Sequence, residues 1–67
     1  MDYASLLKNL RKELLVSQTE LADMLGVSFA SVNRWENNRT EPTIKAKRKI
    51  KEICIKNKID MKGYEHE

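Results

Sequence analysis

Residue types that are characteristic of several other classes of protein are scarce in this 67-residue sequence. It has one cysteine, one histidine, one proline and two glycines. A single cysteine cannot form an internal disulfide, which favours a reducing, cytoplasmic setting. No apolar run approaches the roughly 18 residues of a membrane span, and the first residues lack the basic and apolar stretches of a secretory signal. We therefore expect no membrane association.

Catalytic patterns are scarce as well. The sequence has no glycine-rich phosphate loop and no cluster of metal-ligating residues, and its only histidine, His66, is one residue from the end. We therefore expect the protein not to be an enzyme, to carry no metal or cofactor, and to bind no small-molecule ligand.

Charge is present in quantity and is unevenly distributed, although the net charge is only +3. Residues 34–58 carry nine basic side chains against three acidic ones, whereas residues 1–33 carry three basic against four acidic. A basic block in a small domain is what a phosphate-facing surface requires. A solvated helix face explains the same block equally well when it is taken alone.

Apolar residues recur at three- and four-residue steps in four segments, which predicts amphipathic helices, and no segment alternates like a strand. Ser17 and Glu20 form a capping-box pattern, Gly26 suits a helix end, and Ser28 suits the next helix start. The sequence thus predicts an all-α domain over residues 1–57. Its helices lie at about 2–14, 18–25, 28–37 and Thr43 to Asn57, with a polar tail over 58–67 in which Ile59 and Met61 could pack back.

The second and third predicted helices are spaced like two helices that cross tightly. Ala22 is small where their backbones would touch, and Gly26 permits the sharp turn between them. The buried positions of the pair are expected to be Leu21, Leu25, Val27, Val32 and Trp35. Such a pair can place its second helix in the major groove of duplex DNA while the first meets the backbone.

Three stretches in this region resemble one family of DNA-binding domains. They are Gln18-Thr19-Glu20-Leu21-Ala22, Leu25-Gly26-Val27-Ser28 and Val32-Asn33-Arg34-Trp35-Glu36-Asn37. Together they are similar to the Cro and phage-repressor type of helix-turn-helix protein, also called the Xre family, over about residues 5–57. The resemblance implies a compact domain of four or five helices. It also implies a repressor-like transcription regulator of a prokaryote or phage that binds double-stranded DNA, commonly as a homodimer.

The resemblance further implies which residues meet DNA. Phosphates would be contacted at the start of the second helix by Ser17 and Gln18, and beyond the third helix by Asn37, Arg39 and Thr40. Base edges would be read by Ser28, Phe29, Ala30, Asn33 and Arg34. Of these, Arg34 can donate two hydrogen bonds to guanine, Asn33 can pair with adenine, and Phe29 or Ala30 can contact a thymine methyl.

One structural ion pair is also implied by the resemblance. Arg11 and Glu36 match a pair that braces the third helix in this family. If exposed, such a pair contributes only ~0–1 kcal/mol, so we expect its value to lie in orientation.

Two features depart from the family pattern. Asn38 stands where the family usually has glycine, which leaves the turn slightly strained. The run Lys47-Arg48-Lys49-Ile50-Lys51 places basic residues at several of the family's apolar positions, which weakens the inference of an apolar dimer surface. The run either extends the phosphate-binding surface or is solvated.

A second class of function remains open on the same scaffold, namely a protein-interaction module such as an antitoxin. Asn33, Arg34 and Asn37 favour DNA, because a helix that binds a protein partner presents an apolar ridge instead. Phe29 could be a half-buried packing residue rather than a DNA contact. Trp35 and Cys54 lie at helical spacing with apolar residues, so we expect both in the core.

Overall fold

A computed structural model describes residues 1–64; the last three residues of the predicted tail, His66 among them, lie outside the described residues. Four α-helices follow one another in the chain: α1 (Tyr3–Leu14), α2 (Gln18–Leu25), α3 (Phe29–Glu36) and α4 (Ile44–Lys56). A short 3-10 helix, Lys62–Tyr64, comes after them. Strands are absent from residues 1–64, so the all-α prediction is confirmed. No helix in this range is both long and apolar enough to cross a membrane.

Each α-helix begins at a side chain that accepts a hydrogen bond from the backbone three residues later. These N-caps are Asp2, Ser17, Ser28 and Thr43, with donor–acceptor distances of 3.1 to 3.2 Å. At α2 the capping box is complete, because the Ser17 N–H also donates to the Glu20 carboxylate at 2.9 Å. Helices α2 and α3 have eight residues each and would be marginal in isolation, so these caps fix where they start.

The core lies where the four helices meet, and α3 packs against both α1 and α2 while α4 packs against α2. Its buried members are Leu6, Leu7, Leu10, Leu21, Ala22, Leu25, Val32, Trp35, Ala46, Ile50, Ile53 and Cys54. The prediction that Trp35 and Cys54 are core residues is confirmed. Burial also raises the pKa of the Cys54 thiol. Since α3 is held by its inner side, its outer side is left exposed.

The segment after α4 was predicted as a polar tail in which Ile59 and Met61 could pack back, and part of it does contact the core. Ile59, Met61 and Tyr64 are partly buried and pack against the core. The backbone N–H of Asp2 donates to the carbonyl oxygen of Tyr64 at 2.6 Å, which ties the two ends of the described chain together. The 3-10 helix that contains Tyr64 packs against α1.

Three helix ends place a non-glycine residue in the left-handed region, namely Leu15 (φ 57°), Asn38 (φ 61°) and Lys58 (φ 56°). Asparagine tolerates this conformation, but a leucine there is strained by about 1–2 kcal/mol. The Leu15 side chain is 89% exposed, so little packing offsets the strain. By contrast, α2 ends at Gly26 (φ 70°), which adopts the same conformation freely.

Replacing Leu15 by glycine is therefore expected to stabilise the fold. The relief of strain exceeds the added entropy of the unfolded chain, giving a net gain of about 0.5–1 kcal/mol in urea denaturation. Leu15→Ala is the matched control, since it removes the exposed side chain but keeps the strain. Equal stabilisation by both variants would show that the side chain, not the backbone, is unfavourable.

Candidate nucleic-acid interface

The outward face of α3 carries most of the side chains that are predicted to read base edges. Val32, Trp35 and Glu36 point into the protein. On the opposite side Ala30, Arg34 and Asn37 are exposed, and Phe29 is half exposed at the start of the helix. With 3.6 residues per turn, these exposed positions form one surface. The Phe29 ring thus lies at the protein surface and outside the core.

Ser28 and Arg34 lie at the same surface and are joined through Ser31. The Ser28 hydroxyl accepts the Ser31 N–H as the N-cap and lies 3.1 Å from the Ser31 hydroxyl. The Arg34 guanidinium donates to the Ser31 hydroxyl at 3.4 Å, a long and exposed hydrogen bond. Arg34 therefore remains close to its own helix at little energetic cost, and can exchange this bond for a stronger acceptor.

Behind this face lies the carboxylate of Glu36, which is only 3% exposed. Arg11 on α1 donates to it twice, from Nε to Oε2 at 2.7 Å and from a terminal nitrogen to Oε1 at 2.8 Å. This two-pronged geometry is the strong form of an arginine–carboxylate pair. The expectation of an exposed pair is wrong for Glu36, whose side chain is 2% exposed, while the Arg11 side chain is 28% exposed. Loss of Arg11 would leave a buried carboxylate without its charged partner, which is far more costly than the loss of a surface contact.

Gln18, the first residue of α2, joins the same group. Its amide nitrogen donates to Glu36 Oε1 at 3.0 Å, and its amide oxygen accepts from the Asn33 side chain at 3.3 Å. Asn37 in turn donates to the Asn33 carbonyl oxygen at 2.8 Å. One hydrogen-bonded chain, which we call the Glu36 network, therefore runs from Arg11 through Glu36, Gln18 and Asn33 to Asn37. Within residues 1–64 every buried side-chain nitrogen and oxygen has a hydrogen-bond partner.

The electrostatics of the network keep Glu36 ionised. Burial alone would raise the pKa of Glu36, but hydrogen bonds from Arg11 and Gln18, together with the positive charges of Arg11 and Lys8, outweigh it and leave the pKa below its ordinary value. The hydrogen bond to Glu36 likewise raises the pKa of Arg11, against a smaller opposing effect of burial. Both members of the pair are therefore charged at neutral pH.

The residues assigned to backbone contact occupy two places. Ser17 and Gln18 lie at the N-terminus of α2, where the Ser17 hydroxyl serves as the cap. Arg39 and Thr40 are exposed in the turn that follows α3, and the Arg39 N–H donates to the Arg34 carbonyl at 3.0 Å. Asn37, the remaining residue of this set, is the C-cap of α3. The structure thus links Gln18 to Asn37 through Asn33, while Arg39 and Thr40 lie in the turn after α3.

Sequence reasoning missed the two bonds made by the Gln18 side chain. Glu36 and Asn33 are 18 and 15 residues away from Gln18, so no helical spacing links them. The residue types did not indicate these two hydrogen bonds either, since glutamine and asparagine at a protein surface are ordinarily solvated.

Comparison with known protein families gives one result. A family model described as Helix-turn-helix (HTH_3) matches residues 7–57. The matched range begins within α1 and takes in all of α2, α3 and α4. Neither the curated proteins nor the solved structures include a match to the chain.

The Glu36 network predicts a specific pH dependence of stability. Glu36→Gln removes the charge while keeping the shape, and is expected to cost about 2 kcal/mol at pH 7 because Arg11 loses its anionic partner. Since the pKa of Glu36 is lower in the folded state, its contribution is present above about pH 4.3, the ordinary glutamate value, and disappears as pH falls through the folded value. In urea denaturation the difference between the two proteins should therefore shrink from pH 7 towards pH 3.

Glu41→Gln provides the matched control. Glu41 pairs with Lys47 at 3.4 Å, but its side chain is 70% exposed, so its removal is expected to change stability by less than about 0.5 kcal/mol. A stability loss for Glu36→Gln that stays constant between pH 7 and pH 3 would show that packing, rather than the carboxylate charge, is what the substitution removes.

Proposed function

We propose, from the premise that this chain belongs to the helix-turn-helix family of Cro and phage-repressor type, that it is a sequence-specific, repressor-like transcription regulator. The family is one of DNA-binding domains. In the proposed complex α3 enters the major groove of duplex DNA and the N-terminus of α2 meets the phosphate backbone. A homodimer on a two-fold site is the proposed assembly, because two short recognition helices read more sequence than one.

The observation that carries this proposal is the division of α3 into two sides. Its inner side is fixed by Val32, Trp35 and the ionised Glu36, whereas its outer side presents Arg34 and Asn37 to solvent. A helix held rigidly by one side and carrying hydrogen-bond donors on the other suits a groove whose base pairs differ in donor and acceptor pattern.

The proposed roles on DNA are those that the family resemblance implies for these positions. Arg34 is proposed to donate two hydrogen bonds to a guanine edge, a bidentate contact that discriminates between bases by about 1–3 kcal/mol. Phe29 or Ala30 is proposed to contact a thymine methyl. Ser28 is proposed to approach the groove at the helix start. The phosphate contacts are proposed to come from Ser17, Gln18, Asn37, Arg39 and Thr40.

A second candidate is a protein-interaction role, and one observation favours it. Ile44 and Ile55 on α4 are each about two-thirds exposed and, eleven residues apart, lie on the same side of the helix. Arg48 and Lys51 lie between them on that side, so a partner chain that met both isoleucines would also face these two positive charges. An antitoxin-like protein would combine this surface with DNA binding through α3.

The proposed function is tested by fluorescence anisotropy with a random-sequence DNA duplex across a range of salt concentrations. We expect the logarithm of affinity to fall linearly with the logarithm of salt, by about 0.9 for each phosphate that the protein neutralises. Arg39→Gln should reduce this slope by about one unit. Lys62→Gln, in the 3-10 helix outside the matched range, should leave it unchanged. Affinity too weak to detect even at low salt would favour the protein-interaction role.

The division of roles within the interface has its own test. After selection of a preferred duplex from a randomised library, Arg34→Ala is expected to lower affinity for that duplex and to flatten the preference at about one base pair. Gln18→Ala should weaken all duplexes by about the same factor, because phosphates are the same in every sequence. The reverse pattern, measured on proteins that are equally folded at the assay temperature, would overturn these assignments.

A further inference from the structure

Among the base-reading candidates, Asn33 is the one whose side chain is hydrogen-bonded to another helix, whereas the side chains of Ser28 and Arg34 bond within α3. It is half buried, unlike Ala30 and Arg34. Its amide nitrogen donates to Gln18 Oε1 at 3.3 Å, and its amide oxygen accepts from the Asn37 side chain at 3.3 Å. Both ends of the Asn33 amide therefore have partners in the free protein.

The orientation of the Gln18 amide follows from its neighbours. The Glu36 carboxylate can only accept hydrogen bonds, so the end of the Gln18 amide that lies 3.0 Å from it must be the NH₂ group. The amide oxygen then points towards Asn33, where a donor is required. Glu36 accepts one of the two amide hydrogens of Gln18, and the second can donate to a phosphate oxygen. Asn33 and Glu36 together thus decide which way this donor faces.

Reading adenine would make a different demand on Asn33. A bidentate contact uses the amide nitrogen and oxygen of one side chain at the same time. If Asn33 turned to a base in this way, the Gln18 amide oxygen would lose its donor, whereas Asn37 would keep its 2.8 Å hydrogen bond to the Asn33 main-chain carbonyl. Left in place, the Asn33 amide instead completes the hydrogen bonds of Gln18.

We propose that Asn33 acts on DNA through Gln18, as a positioning residue that aims the Gln18 amide at a phosphate, and not as an independent reader of adenine. This inference rests on the proposed function, because it assumes that Gln18 meets the DNA backbone. It places the specificity of α3 on Arg34 and its exposed neighbours. It also makes the affinity for phosphate depend on a side chain that never touches phosphate.

The first test is the affinity of Asn33→Ala for a random-sequence duplex at low salt. A positioning residue for a phosphate contact affects every sequence, so we expect binding to this probe to weaken about tenfold, a loss within the range of coupled hydrogen-bond networks. A residue that only reads adenine contributes little to binding of random DNA. Unchanged affinity for random DNA, together with altered preference at one base pair, would overturn the proposal.

A double-mutant cycle then tests whether Asn33 acts through Gln18. If it does, Gln18→Ala and the Gln18→Ala/Asn33→Ala double variant should bind the random-sequence duplex with about equal affinity, since the second substitution removes nothing further. Gln18→Ala combined with Arg39→Ala is the matched cycle. Arg39 lies in a different segment and is expected to contribute independently, so these two losses should multiply. Multiplying losses in the Gln18 and Asn33 cycle as well would overturn the proposal.

A measurement without DNA separates positioning from loss of folding. In the free protein, Asn33→Ala should shift the ¹H–¹⁵N resonances of the Gln18 side-chain amide while the backbone spectrum and the melting curve stay those of a folded domain. An unmoved Gln18 amide would overturn the inference while leaving the proposed function intact. Failure of the unsubstituted protein to bind the random-sequence duplex at any salt would instead overturn the proposed function and this inference together.

Discussion

The rest of the structure depends on how the buried carboxylate of Glu36 is satisfied. Moving a carboxylate out of water costs several kcal/mol, and that cost is offset only when its partners are close and well oriented. Arg11 supplies two hydrogen bonds and Gln18 a third, so α1 and α2 must both meet the end of α3 at fixed positions. Leucines alone would allow α3 to slide or rotate slightly against its neighbours, because apolar contacts are not directional. The carboxylate removes that freedom.

This constraint matters because α3 is short and its exposed face must be reproducible. An eight-residue helix has little stability of its own, and Val32 and Trp35 hold only one side of it. Glu36 fixes its C-terminal end, and Ser28 caps its N-terminal end. A contact that discriminates between base pairs needs donors placed to within a fraction of an ångström. The two fixed ends supply that placement without using the side chains of Ala30 or Arg34.

The features that could be predicted from the sequence are those that depend on residues close together in the chain. The bounds of α2 were predicted from Ser17, Glu20 and Gly26, because a cap and a C-terminal glycine act over three or four residues. The burial of Glu36 and the two bonds of Gln18 were not predicted, because they join residues on different helices and depend on how those helices pack. The ion pair of Arg11 and Glu36 was predicted only from the family resemblance. Because Glu36 is buried, the small contribution expected of an exposed pair does not apply, and loss of its partner is costly.

The basic run in α4, Lys47-Arg48-Lys49-Ile50-Lys51, does not disturb the core. Ala46, Ile50, Ile53 and Cys54 face inward, whereas Arg48, Lys49 and Lys51 are exposed. Lys47 is half-buried, with its ammonium 5.3 Å from the centre of the Tyr3 ring on α1. After α4, Ile59, Met61 and Tyr64 also pack against the core and are partly buried. Arg48, Lys49 and Lys51 instead raise the positive potential of the solvent around α4, an effect that physiological salt screens beyond a Debye length of about 8 Å.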